Sequence, residues 1–147
     1  MTARHPEAHI ARAVAYFEQM APADLDRLGD IYAAQARFKD PFNDVTGLDA
    51  VRRIYAHMFE ALESPRFAIT QVIGAAADAV LIWDMNFSLR GRALTIHGAS
   101  HLHFDVSGRI ALHRDYWDTA EELFAKLPLI GALTRALQRR LATPPGH

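Results

Sequence analysis

The chain has 147 residues, half of them hydrophobic, with a formal net charge of −1 and no cysteine. This length suits one domain around a single core, and the near-neutral charge offers no basic surface for nucleic acid or an anionic membrane. The lack of cysteine excludes disulfides and thiolate chemistry. We expect a cytoplasmic protein, because the sequence has no apolar signal core and no apolar run near the ~20 residues of a membrane span.

Three helices are predicted in the first 62 residues. Apolar residues recur at helical spacing over residues 6–20, and again over residues 24–32, where Asp24 can cap the helix. A strand that ends at Asp40 follows, then a loop over residues 43–47. The third helix is predicted over residues 48–62 and carries Phe59 on its apolar side.

Beyond Pro65 the hydrophobic period changes to two, which predicts four antiparallel strands over residues 67–73, 79–90, 92–106 and 109–117. A two-residue turn at Ser107-Gly108 joins the last two. A further helix is predicted from Thr119, and we expect residues 143–147 to be disordered. Helices followed by a strand meander predict one α+β domain over residues 1–142, with the helices packed on one face of the sheet.

The first candidate for chemistry is Asp40, which ends an aromatic strand directly before Pro41. Proline holds the preceding residue in an extended conformation and has no N–H to donate. Between Phe38 and Phe42 the carboxylate loses hydration, so we expect its pKa above the ordinary ~3.9 and a role in proton transfer. The other interpretation is an Asp-Pro turn that only ends the strand.

A second candidate lies in the last strand, where His113, Asp115 and Trp117 alternate onto one face. In a hairpin without a bulge, that face also carries Ser100 and points toward the helices. A carboxylate buried there needs a partner or a protonated state, which favours a ligand pocket. One bulge would instead turn Asp115 to the surface, and His113 is either a core histidine or the partner of Asp115. We expect the pocket wall to include Tyr32, Phe59, Trp83, Met85, Ile96 and Trp117.

The opposite face of these strands carries Ile110, Leu112 and Tyr116, together with histidines at positions 97, 101 and 103. So much apolar surface predicts a homodimer that covers this face. Zinc is not expected there, because strand residues four apart are separated by ~13 Å and Zn–N bonds measure only ~2.0–2.1 Å.

The order of these features resembles the nuclear-transport-factor-2-like superfamily over about residues 8–125. The likeness rests on Tyr16 in the first helix, Ile31-Tyr32-Ala33 at the end of the second, Asp40-Pro41-Phe42, and a meander that closes with Gly108-Arg109-Ile110 and Tyr116-Trp117. It implies a cone in which a curved sheet wraps around three helices and encloses an apolar pocket. Members include bacterial ketosteroid isomerases, SnoaL-type polyketide cyclases, limonene epoxide hydrolase and non-catalytic binders.

The resemblance also implies roles for particular residues. The isomerases place a general-base aspartate where Asp40 stands and an oxyanion-binding tyrosine where Tyr16 stands, supported by a tyrosine matching Tyr32. Their protonated acid on the third strand corresponds to Ser100 here. The cyclases use a histidine and an aspartate of the sheet, as His113 and Asp115 would be. The expected function is therefore an isomerase or cyclase for a small hydrophobic carbonyl compound, without cofactor or metal, or a non-catalytic binder.

Overall fold

The computed structural model describes residues 7–118 and 139–141. Its elements are helix α1 (Ala8–Gln19), a 3-10 helix (Pro22–Asp30), strands β1 (Tyr32–Lys39) and β2 (Asp44–Thr46), helix α2 (Leu48–Ala61), and strands β3 (Glu63–Ala75), β4 (Asp78–Leu89), β5 (Arg92–Phe104) and β6 (Ile110–Tyr116). This α+β architecture confirms the predicted fold class. Residues 139–141 are helical, and the rest of the predicted last helix and the predicted disordered tail lie outside the described residues.

The six strands form one mixed sheet in the order β2-β1-β6-β5-β4-β3. Strands β3 to β6 form the predicted antiparallel meander, whereas β1 runs parallel to β6 and antiparallel to β2. The parallel register pairs Lys39 with Arg114. Asp40, the next residue after β1, is thereby brought beside Asp115.

The helices cover the inner face of this sheet with one apolar stripe each. Helix α1 buries Ile10, Ala13 and Phe17, and α2 buries Val51, Ile54 and Tyr55. They join the inward side chains of the strands in one core, and burial of each large aliphatic side chain contributes roughly 1.5–3 kcal/mol. None of the described helices is long and apolar enough to cross a membrane.

Two local predictions differ from the structure. The second helix is a 3-10 helix that begins at Pro22, so Asp24 is its third residue and not the residue before it; from there its carboxylate caps the helix start by accepting the N–H of Ala21 at 2.8 Å. Aspartates and Gly29 lower the helix propensity of this segment, which agrees with its tighter, less regular form. The predicted loop over residues 43–47 contains the short strand β2.

The hairpin between β5 and β6 keeps the predicted register but not the predicted turn. Ser100 pairs with Asp115 as expected, but a register shift follows toward the turn and Ala111 is left as a bulge. Asp105 accepts the N–H groups of Ser107 and Arg109 at 2.8 and 3.1 Å, which stabilises a five-residue loop. The bulge turns Ile110 into the core, where it is fully buried, so its predicted outward position is wrong.

Candidate active site

A small cavity of about 70 Å³ lies between α2, the end of β1 and the inner face of the sheet. Its described lining is mostly aromatic and apolar, with two carboxylates: Phe38, Asp40, Phe42, Ile54, Tyr55, Met58, Phe67, Trp83, Met85, Asp115, Trp117 and Leu141. It adjoins a wider cleft of about 650 Å³ at the ends of β1 and β6, with which it shares Asp40, Asp115 and Trp117. The cavity itself has room for a group of only a few heavy atoms.

Asp115 faces this interior and is held by two neighbours through a single oxygen. Its Oδ1 accepts a short hydrogen bond from the Ser100 hydroxyl and lies 2.6 Å from Nε2 of His113. The Ser100 hydroxyl in turn accepts the indole N–H of Trp83 at 2.8 Å. No described residue bonds Oδ2, so the second carboxylate oxygen is the one available to a ligand.

His113 continues the network toward α2. Its Nδ1 lies 2.6 Å from the Tyr32 hydroxyl, which lies 2.8 Å from the Tyr55 hydroxyl. Burial raises the pKa of both tyrosines well above their ordinary value, so both hydroxyls keep their protons. These four side chains form a continuous chain of hydrogen bonds that ends at Asp115.

One arrangement of protons satisfies every member of this chain. Tyr55 donates to Tyr32, Tyr32 donates to Nδ1 of His113, and Nε2–H of His113 donates to Asp115. The reverse direction leaves the Tyr55 hydrogen without an acceptor among the described residues. In this direction the proton of the His113 ring lies on Nε2 and Nδ1 is the acceptor.

Asp40 stabilises the turn after β1 and also lines the cavity. Its Oδ1 accepts the N–H groups of Phe42 and Asn43 at 2.8 and 2.7 Å, and both of its oxygens contact the Asn43 side-chain amide. Burial raises the pKa of Asp40, the hydrogen bond from Phe42 opposes this, and the nearby Asp115 adds to the increase. The expected rise in pKa is confirmed, and so is the turn.

The sequence model of the SnoaL-like domain family matches residues 13–113, which is more than half of the chain. The chain belongs to the SnoaL-like domain family. Similar folds include a protein of ketosteroid isomerase-like fold from Catenulispora acidiphila, crystallised with trimethylamine, at 17% identity over 82% of this chain and 92% of that chain, with a TM-score of 0.68. A protein from Shewanella putrefaciens, provisionally called a SnoaL-like polyketide cyclase, is 18% identical over 83% and 100% of the two chains, also at 0.68.

A further neighbour, an NTF2-like protein of unknown function from Burkholderia pseudomallei, is 21% identical over 84% of this chain and 95% of that chain, with a TM-score of 0.67. Among curated proteins none matches the sequence. At these identities the likeness shows the fold alone, and the predicted family is confirmed by the match of the SnoaL-like model to residues 13–113.

Within this SnoaL-like domain the structure gathers most of the predicted site residues. Trp83, Met85 and Trp117 line the cavity with Asp40 and Asp115. Beneath it lie the bonded side chains Tyr32, Ser100 and His113.

Three predicted site residues of the SnoaL-like domain lie elsewhere. The Tyr16 hydroxyl donates to the carbonyl of Asp24 at 2.7 Å, burial raises its pKa to about 12, and its ring lines a separate cleft beside Arg12. Helix α1 turns Tyr16 this way because its neighbour Phe17 occupies the core side. Phe59 lines another cleft, one helical position past the cavity residue Met58, and Ile96 is core.

Other residues of the SnoaL-like domain site were missed by sequence reasoning. Tyr55 is not among the predicted site residues, because its hydroxyl bond to Tyr32 joins residues 23 apart and leaves no local signal in the sequence. Gly98 pairs with Trp83 across the sheet, and a Cβ at this position would come 2.4 Å from the indole ring. A glycine inside a strand indicates such a close approach, so this one was detectable.

The outer face of the SnoaL-like domain sheet holds the other strand histidines. His97 contacts Asp84 at 2.5 Å, and His101 and His103 both contact Asp78 at 2.9 Å. Over residues 7–118 and 139–141, no three His, Asp or Glu side chains are arranged to hold a metal ion.

Proposed function

We propose that this SnoaL-like domain is a cofactor-independent isomerase or cyclase that moves a proton on a small hydrophobic carbonyl compound. The observation that carries the proposal is the Asp115 carboxylate, which faces an aromatic cavity while Ser100 and His113 hold one of its oxygens. A carboxylate that is largely shielded from water and faces a pocket can act as a general base on a ligand bound there.

In this mechanism Oδ2 of Asp115 removes a proton from the carbon beside the carbonyl group. The electron pair of the broken C–H bond moves into the carbonyl group and forms an enolate. Return of the proton at another carbon completes an isomerisation. Attack of the enolate carbon on a second carbonyl group instead closes a ring, and the proton held by Asp115 passes to the new alkoxide oxygen, which restores the base. His113, fixed by Tyr32, keeps the carboxylate oriented throughout.

Asp40 is proposed as the acid that stabilises the developing oxyanion. Burial raises the pKa of Asp40, and in its protonated form the carboxyl group can donate a hydrogen bond to the enolate oxygen. Ser100 gives its hydrogen to Asp115, and Tyr16 lies in a different cleft, so neither is placed for this role. The pair thus divides into a base, Asp115, and an acid, Asp40.

Exchange of α-protons for deuterium tests the proposal with any ketone that enters the cavity, whatever the natural substrate is. A panel of small cyclic ketones is incubated in D₂O with the protein, and loss of the α-proton signal is followed by NMR. We expect the wild-type chain to accelerate exchange of at least one ketone above the rate given by an equal concentration of the Asp115→Asn variant. Equal rates for the whole panel would refute the proton-transfer mechanism.

A second candidate function is binding without catalysis. The trimethylamine complex of the Catenulispora acidiphila protein supports it, because a small amine is held there by a similar fold. In that case the two carboxylates would orient a ligand hydroxyl or amine. Binding of a ligand without turnover, measured on the same sample, separates this function from the first.

We also propose that the chain forms a homodimer through the outer face of the sheet. That face presents the half-buried side chains of Val80, Ile82 and Leu112 and the half-exposed Tyr116. The inward turn of Ile110 makes this apolar surface smaller than the sequence predicts. Light scattering after size exclusion tests the proposal, and a monomer at micromolar concentration would contradict it. The cytoplasmic location stays a prediction.

A further inference from the structure

The described lining of the cavity is acidic and carries no basic side chain. Asp40 and Asp115 are its two acidic residues, and no Lys, Arg or His is among the described residues of the wall. His113 lies behind Asp115, outside the cavity wall, with its Nε2 2.6 Å from Oδ1 of Asp115. The described wall of the cavity therefore carries two acidic groups and no basic one.

Aromatic rings make up half of the same wall. They are Phe38, Phe42, Tyr55, Phe67, Trp83 and Trp117. Phe42 meets Trp117 edge to face at 5.5 Å, and Phe67 meets Trp83 in the same way at 5.4 Å. Such rings attract a cation to their faces, most strongly where water is excluded.

The charge and the rings favour the same kind of occupant. An uncharged group displaces water from the carboxylate without a compensating charge, so it should bind less tightly than a cation of the same shape. An ammonium group would instead neutralise Asp115 and contact the aromatic faces. We propose that the cavity selects molecules that carry a small organic ammonium group, as ligand or as part of the substrate; the substrate part rests on the proposed proton transfer.

Basic side chains do occur in the wider cleft outside the cavity. Lys39 and Arg114 line it together with Asp118, and the Arg114 guanidinium lies 4.7 Å from the centre of the Tyr116 ring. The described wall of the cavity is thus acidic, whereas the wider cleft carries both acidic and basic side chains. A molecule with its ammonium head in the cavity and a polar or anionic tail in the cleft fits both regions.

A pair of probes of equal shape tests the charge preference alone. Choline and 3,3-dimethylbutan-1-ol have the same outline and differ only in a positive nitrogen in place of a carbon. Titration calorimetry of the whole chain should give choline at least about tenfold tighter binding than the neutral alcohol. Equal affinities, a preference for the alcohol, or no binding of either at millimolar concentration would overturn the inference.

Matched variants locate the effect. Asp115→Asn keeps an acceptor oxygen for Ser100 and His113 and removes only the charge, so the preference should fall to within about threefold. Asp78→Asn, on the outer face, should leave it unchanged. If Asp115→Asn fails to fold, Trp117→Leu takes its place and should also reduce the preference. A preference that survives in the folded cavity variant would overturn the inference.

The exchange assay keeps the two proposals apart. Preference for choline without α-proton exchange would retain an ammonium-binding cavity and reject the enzyme. Exchange without preference for choline would retain the enzyme and reject the ammonium selection.

Discussion

Histidine–aspartate pairs occur on both faces of this sheet, in very different surroundings. On the inner face the side chains of His113 and Asp115 are 5% and 16% exposed, and each has a further partner, Tyr32 and Ser100 respectively. On the outer face His101 and His103 share Asp78, and all three side chains are 36% to 59% exposed. Water competes with the outer pairs, so they are weak and exchangeable, whereas the inner pair has fixed partners and little contact with solvent.

The largest expected difference between the two faces is in activity. Asp115→Asn should lower the rate of α-proton exchange by roughly 10²–10⁴, the usual contribution of a general base. Asp78→Asn removes the same group from a histidine pair on the outer face and should leave the rate unchanged. NMR exchange rates of the two variants, with circular dichroism as a check on folding, measure this. A similar loss in both would mean that the inner face has no special role.

The buried network should also dominate stability. Tyr32→Phe leaves both Nδ1 of His113 and the Tyr55 hydroxyl without their partner, and should cost about 1–3 kcal/mol of unfolding free energy. Tyr55→Phe removes only the end of the chain and should cost about 0.5–1.5 kcal/mol. Urea unfolding gives both values. The reverse order would show that the hydrogen bonds run differently from the arrangement described.

Much of this site could be predicted because strands alternate. The inward direction of Asp115, His113 and Ser100 follows from the two-residue period once the hairpin register is known. Ile110 was misplaced because a bulge at Ala111 depends on the loop that Asp105 stabilises.

The remaining features depend on contacts between distant parts of the chain. The parallel pairing of β1 with β6 joins segments more than 70 residues apart, and the bond between Tyr32 and Tyr55 depends on how α2 packs on β1. Neither leaves a local pattern. Tyr16 was assigned through the family resemblance, and the side of α1 it occupies is decided by packing.

Gly98→Ala tests how tightly the inner face is packed around the network. The new Cβ would lie 2.4 Å from the Trp83 ring, so the indole must shift and its N–H must leave Ser100. We expect a loss of about 1–3 kcal/mol in unfolding free energy and a changed tryptophan emission. In a Trp83→Phe background the smaller ring should reduce the loss of unfolding free energy that Gly98→Ala causes. An unchanged loss in that background would assign the effect to the backbone.

The smallest effects concern pH, and two aspartates should respond with opposite sign. The folded pKa of Asp40 is raised, so its contribution to stability is complete below the ordinary pKa of about 3.9 and is lost as pH rises through the folded value. Asp40→Asn should therefore gain stability relative to wild type as pH rises from acid to neutral. Its amide oxygen can still accept the N–H groups of the turn.

Asp44 supplies the matched control for this pH dependence. The Arg37 guanidinium at 2.9 Å lowers the pKa of Asp44, so its contribution is present above about pH 3.9 and is lost as pH falls through the lowered value. Asp44→Asn should lose stability relative to wild type over the same rise in pH. Melting curves across pH measure both trends, and trends of equal sign would contradict the role given to burial at Asp40.

The most direct measurement on the buried network is the ¹⁵N NMR signature of the His113 ring in the wild-type chain at neutral pH. We predict a neutral ring with its proton on Nε2 and with Nδ1 as a hydrogen-bond acceptor, and we predict that the acceptor shift of Nδ1 changes in Tyr32→Phe. A ring protonated on Nδ1 or on both nitrogens would contradict the hydrogen-bond direction described for this network.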